Sequence, residues 1–178
     1  MVLKKPLKRG LELAKILNGL NREQLYFFLK NEFPDRNPNA DIDKLLRMKL
    51  IVQEDGEIFV LNITREPNIQ EAIEIMQSFW SNELYGFEKG EYPTILKFVK
   101  VYNKKPHTFY ICKDENVSDL RIISEDTVII AITDIGKGSI NGFENRLEEY
   151  RLPGKTRPCC KIFIAVYEYG VYRFYNWR

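Results

Sequence analysis

The stretch from Leu11 to Leu61 constrains this chain most, because its apolar spacing and its turn residues together allow few arrangements. It reads as two short apolar helices, a third helix with a cap, and a tight two-stranded ribbon. The third helix opens at Asn37-Pro38-Asn39, where Pro38 suits a first helical turn and Asn37 or Asn39 can cap the free amides. Ile42, Leu45, Leu46 and the stem of Lys49 then recur at helical spacing on one face. Ala40, Lys44 and Arg47 are therefore expected to point away from the core. Directly afterwards, Leu50-Ile51-Val52 and Ile58-Phe59-Val60-Leu61 flank Glu54-Asp55-Gly56-Glu57, and Asp-Gly between two apolar runs is a hairpin signal.

Helix followed by short hairpin is the order of a winged helix, in which Lys44 and Arg47 would occupy the positions a recognition helix presents to DNA. Charge partly opposes that use. Asp41 and Asp43 fall in the first turn of the helix, and Glu54, Asp55 and Glu57 sit at the hairpin tip, where phosphate contacts would want Lys or Arg. Acids in a first turn also stabilise a helix against its dipole, and an acidic tip is an ordinary solvated turn. Positive charge gathers ahead of the module, at Lys4, Lys5, Lys8 and Arg9, with no acid before Glu12. Such a segment is expected to be a basic arm that reaches a phosphate backbone, or simply a frayed, soluble terminus. Residues 1–63 are thus assigned to a winged-helix domain with a basic amino-terminal arm. Its candidate contacts to double-stranded DNA are Lys4, Lys5, Lys8, Arg9, Lys44 and Arg47.

A length of 178 residues, 44% of them hydrophobic, is enough for one large or two small domains. No long uncharged apolar segment is present, so no membrane span is expected. After Lys4 to Arg9 the apolar positions are helically spaced and do not form the continuous core of a secretory leader, which points to the cytoplasm. The formal charge of +2 is too small to imply nucleic acid from bulk electrostatics, so any basic surface must come from the distribution of charge. Cys112, Cys159 and Cys160 are an odd number without the spacing of a zinc knuckle or a redox motif, and read as core or near-core thiols. His107, the only histidine, follows Pro106 at an expected turn, and without a second histidine or a well-spaced cysteine it suggests no triad or zinc site.

Past the hairpin, Arg65-Glu66-Pro67 marks a short boundary into a second region, residues 68–178. Ile69, Ala72, Ile73, Met76, Phe79, Trp80 and Leu84 follow helical spacing and predict one long amphipathic helix. A Gly-rich, charged connection (Gly86 to Pro93) leads to a strand at Thr94 to Tyr102, a turn at Asn103 to Pro106, and a strand at Thr108 to Cys112. Thr127 to Thr133 is nearly all apolar, as expected of a central strand covered on both faces. Asn141 to Arg151 is expected to be helical, and Lys161 to Tyr167 with Val171 to Tyr175 to close a hairpin around Tyr169-Gly170. The order is αβββαββ, without internal repeats or low-complexity segments.

A helix, three strands, a helix and another strand resembles the core of the restriction-endonuclease-like fold. More narrowly, Asp126 to Asp134, then Phe143 to Tyr150, then Lys161 to Tyr167 resemble the carboxy-terminal half of replication-relaxation family proteins. The resemblance covers most of the chain in layout. It implies an α+β protein in which an amino-terminal winged helix precedes a nuclease-like domain. It also implies an origin on a plasmid or integrative element and a part in replication or conjugative DNA processing, with protein partners there.

Metal-dependent cleavage in such a fold needs an Asp near the second strand and an acid-x-Lys pair on the third, so that carboxylates hold a cation and a lysine orients water. Val128 to Thr133 contains no such pair. Asp134 ends the strand, and Lys137 follows three positions later beyond Gly136, out of phase for a shared strand face. Asp114, Glu115, Asp119 and Asp126 could supply carboxylates, although solvated loop acids are commoner than ligands. The domain therefore reads as catalytically degenerate, with no metal site and no cofactor, and pure protein is expected not to cleave DNA with Mg²⁺ or Mn²⁺. Gly136-Lys137-Gly138-Ser139-Ile140-Asn141-Gly142 matches neither phosphate-binding glycine fingerprint and reads as a connection whose Ser139 or Asn141 caps the next helix. In the tail, Tyr172 and Phe174 should face opposite Arg173 and Tyr175, as cross-strand packing, a base-stacking face or a homodimer surface.

The reading that follows is a non-enzymatic DNA-binding accessory or regulatory protein of a mobile element. Its rivals are a metal-dependent nuclease with relocated catalytic residues and a protein-interaction module that never touches DNA.

Overall fold

The computed structural model describes residues 3–65, 68–78, 84–120, 127–132 and 161–177. The protein is a mixed α+β structure that divides into two compact units, residues 1–73 and 74–178.

The first unit begins with helix α1 (Lys5–Ile16), which starts well before the apolar pattern at Leu11 because Pro6 occupies its first turn. Most of the segment expected to be a basic arm or a frayed terminus is therefore helical. Lys5, Lys8 and Arg9 belong to the helix, while Pro6, Leu7, Gly10, Leu13 and Ala14 form its buried side. Gly10 is there for closeness: a Cβ at this position would lie 2.9 Å from Leu45 Cδ1. A two-residue strand, β1 (Leu20–Asn21), leads into α2 (Arg22–Glu32). Asn21 and Gln24 cap α2 reciprocally, Asn21 Oδ1 accepting from Gln24 N at 2.8 Å and Gln24 Oε1 from Asn21 N at 3.0 Å. Helix α3 (Pro38–Arg47) has the expected start, with Asn37 Oδ1 accepting from the Asn39 amide at 3.1 Å.

The ribbon consists of β2 (Val52–Glu54) and β3 (Glu57–Phe59). Asp55 and Gly56 join them, both with positive φ (50° and 84°), the backbone a two-residue hairpin turn requires. On its other side β3 pairs with β1, so the small antiparallel sheet has the order β1-β3-β2. Leu13, Leu17, Leu25, Phe28, Ile42, Leu45 and Ile58 form the core between helices and sheet.

Buried Asn18 holds the chain that leaves this sheet. Its Oδ1 accepts from the Val60 amide and its Nδ2 donates to the Ile63 carbonyl, both at 2.7 Å. Asn18→Ala strands that donor and acceptor and is expected to destabilise the protein by about 1–3 kcal/mol, read by urea unfolding. A variant as stable as the native chain would show that water replaces both bonds.

Helix α4 (Ile69–Ser78) spans the division between the units, so the boundary falls later than the polar linker around Arg65. The reason lies in its first turn. Gln70 Nε2 donates to the Gly19 carbonyl and Gln24 Nε2 to the Gln70 carbonyl, each at 2.9 Å. The helix does not continue to Leu84 as its apolar spacing suggests, because Leu84 opens a strand.

The second unit is a six-stranded mixed sheet. It comprises β4 (Leu84–Lys89), β5 (Thr94–Tyr102), β6 (Lys105–Lys113), β7 (Thr127–Ile132), β8 (Lys161–Glu168) and β9 (Val171–Trp177), in that spatial order. The pairs β4–β5, β5–β6 and β8–β9 are antiparallel, whereas β6, β7 and β8 run parallel. Strand β4 replaces part of the expected Gly-rich connection, with a register irregularity between Leu84 and Gly86. The turn after β5 is only Asn103-Lys104, both at positive φ, so Pro106 and His107 belong to β6. His107 is therefore a half-buried strand residue opposite Lys100, not a turn residue.

All six residues of β7 are buried, as its apolar run predicts of a central strand covered on both faces, and it pairs with β6 and β8 along its two edges. Cys112, Ile129, Ala131, Ile162, Ile164 and Val166 pack together, with Leu120 and Tyr175 against them. Phe98 and Phe109 stack with ring centroids 4.8 Å apart and planes 8° from parallel. The hairpin at Tyr169-Gly170 forms as expected, with φ of 52° and 85°. The expected helix at Asn141 to Arg151, the segment Gly136 to Gly142, Asp126, Asp134, Lys137, Cys159 and Cys160 lie outside the described residues. Among the described residues no helix is long and apolar enough to cross a membrane.

Candidate nucleic-acid interface

Helix α3 turns Ile42 and Leu45 inward, and this leaves Ala40, Lys44 and Arg47 exposed, as their spacing predicts. Lys44 and Arg47 stand three residues apart on one side of the helix, and neither has a hydrogen-bond or ion-pair partner among the described residues. Their position in the last turns also suits the helix dipole.

Four of the five acids that oppose a phosphate surface, Asp41, Asp43, Glu54 and Glu57, are taken up by arginines. Asp41 is buried, and its Oδ2 lies 3.4 Å from Arg36 Nε. Asp43 Oδ1 accepts from Arg22 Nη2 at 2.6 Å. At the hairpin, Arg65 reaches Glu57 at 3.2 Å and Glu54 at 3.5 Å while its guanidinium lies 3.5 Å from the Phe59 ring centroid. Glu54 and Glu57 are direct cross-strand partners, so one arginine offsets the repulsion between two opposed carboxylates. Asp55 remains at the tip as an exposed acid.

The amino-terminal cations are less available than their clustering suggests. Arg9 spends its guanidinium on Glu32 of α2, with Nε and Nη2 each 2.8 Å from Oε1, and lies 3.8 Å from Glu12. Lys8 is 3.8 Å from Glu12, one turn along α1. Lys4 and Lys5 are exposed without such partners among the described residues. Sequence reasoning singled out Lys44 and Arg47 but missed Arg22, Arg36 and Arg65, because their roles depend on which acids the packed helices and strands bring to them.

In the second unit a polar cleft of about 600 Å³ lies beside the β4–β5 turn, lined by Glu88, Glu91, Tyr92, Lys97, Tyr110 and Asp119 among others. Tyr92 Oη donates to Asp119 at 2.7 Å, and Lys97 Nζ to Glu88 at 2.6 Å. The Glu88 hydrogen bond holds the Lys97 ammonium above its usual pKa. The cleft thus carries charges of both signs, and no group of three potential ligands gathers to hold a metal among the described residues. Asp114 and Asp119 are the first and last residues of a short 3-10 helix after β6, half-buried and exposed respectively. Cys112 is an inert core thiol: burial, and secondarily the Asp114 charge, push it up to about 12. In the tail, Tyr167 and Tyr172 form an edge-to-face pair with centroids 5.1 Å apart. Tyr175 donates to the buried Glu168 at 3.0 Å.

No protein-family model, curated protein or solved structure matches this chain.

Proposed function

We propose that the first unit is a winged helix that binds double-stranded DNA through the exposed side of α3, and that the chain is a DNA-binding accessory protein and not an enzyme. The order α1-β1-α2-α3-β2-β3 with its three-stranded sheet supports the winged-helix reading. The observation that carries DNA contact is the charge arrangement on α3. Asp41 and Asp43 are compensated by Arg36 and Arg22, while Lys44 and Arg47 are exposed and uncommitted among the described residues. The helix therefore offers net positive charge to solvent where the sequence alone balances two acids against two bases.

The mixed sheet, with parallel β6, β7 and β8 at its centre, supports a nuclease-like scaffold for the second unit. A place in the replication or conjugative processing of a mobile element rests on the family resemblance described above.

The decisive experiment is a salt titration of binding to mixed-sequence duplex DNA. The logarithm of the association constant is expected to fall linearly with the logarithm of salt concentration, by about 0.9 per phosphate contacted. Binding that ignores salt, or no binding at 50 mM salt, removes duplex DNA as the ligand and leaves protein docking as the use of this module.

A further inference from the structure

Resting on the DNA-binding reading, the geometry points to a sequence-reading element built from Asn39 and Asp43 and held in position by Arg22. Its ligand is duplex DNA whose major groove presents an acceptor edge to Asn39 and an exocyclic amine to Asp43.

Arg22 is the first residue of α2 and projects onto the first turns of α3. Its Nε and Nη2 both lie 3.3 Å from Asn39 Oδ1, and Nη2 donates to Asp43 Oδ1 at 2.6 Å. One planar guanidinium thus engages a single oxygen of each side chain. The opposite atoms, Asn39 Nδ2 and Asp43 Oδ2, have no hydrogen-bond partner among the described residues. Both side chains are exposed.

A donor and an acceptor are therefore held one helical turn apart, on the amino-terminal part of the helix that a winged helix inserts into the major groove. Four residues of helix rise about 6 Å, which spans about two base-pair steps. Asn39 Nδ2 can donate to a purine N7, and Asp43 Oδ2 can accept from cytosine N4 or adenine N6. Both side chains are ordered before DNA arrives, so less conformational entropy is lost on contact. Arg22 also compensates the Asp43 charge, which would otherwise repel the phosphates on either side of the groove. Lys44 and Arg47, farther along α3, supply affinity common to all sequences. Arg22 is a positioning residue: the reading groups are Asn39 and Asp43.

The full-length protein should be used to enrich ligands from a pool of duplexes with a randomised core. Binding of the enriched duplex, of its single-base-pair variants and of a mixed-sequence duplex is then compared for the native chain, N39A, D43A and R22K. The native chain is expected to discriminate at one or two base pairs by about 5- to 150-fold each. D43A and N39A should each lose discrimination at one of those pairs while still binding the mixed-sequence duplex. R22K keeps the charge but not the planar fork. It should blur both positions, its loss of discrimination at each pair exceeding any change in its affinity for the mixed-sequence duplex. Two results would overturn the inference and leave the DNA-binding reading standing. One is salt-sensitive binding with no enriched sequence. The other is an enriched sequence that N39A, D43A and R22K read as the native chain does. Absence of any duplex binding would overturn both.

Discussion

Replacing Lys44 and Arg47 together with Ala is expected to weaken binding to any duplex by about tenfold per lost phosphate contact at 50 mM salt. It should also flatten the logarithmic salt dependence by about 1.8 in slope. Both side chains are exposed and have no ion-pair partner among the described residues, so the release of counterions expected from DNA is not offset there by an intramolecular ion pair broken on binding. The fold should tolerate the change, because exposed helix positions accept Ala at little cost and the buried side of α3 is untouched. Arg9→Ala is the informative contrast. That guanidinium is committed to Glu32, so its loss should alter the salt slope far less. Unchanged affinity and slope in the Lys44, Arg47 double variant, with native circular dichroism, would remove α3 from the interface.

Phe98→Ala is expected to have the largest effect on stability, about 3–5 kcal/mol. Phe98 is 1% exposed, and its ring lies flat against Phe109 on the neighbouring strand. Truncation removes the transfer free energy of an aromatic ring and leaves a cavity that β5 and β6, locked by their ladder, cannot close. Tyr169→Ala provides the control. At 94% exposed in a hairpin turn, Tyr169 should cost less than about 1 kcal/mol. Urea unfolding followed by tryptophan fluorescence reads both, and a loss below about 1 kcal/mol for Phe98→Ala would mean that the strands repack around the gap.

Some of this architecture was legible residue by residue, because it depends on geometry local to a few positions. The Asn37-Pro38 start and the inward Ile42 and Leu45 define α3, since capping and a 3.6-residue period act within single helical turns. Asp55-Gly56 and Tyr169-Gly170 mark hairpins because few residue pairs accept positive φ in succession. The apolar run Thr127–Ile132 announces a strand with both faces covered.

Other features belong to packing alone. β1 has two residues and no period to read, and exists because β3 offers it an edge. β4 was hidden by Gly86 and by the charges around it, and becomes a strand through its pairing with β5. The basic segment at Lys5, Lys8 and Arg9 is a helix because its apolar residues find buried contacts. The electrostatics of the candidate interface were the least legible. Asp43 and Arg22 are 21 residues apart, Glu54 and Arg65 are 11 apart, and nothing in composition joins them. Which charges cancel and which remain for a ligand is decided when α2 meets α3 and the chain returns past the hairpin, because Coulomb attraction depends on distance in space and not on order along the chain.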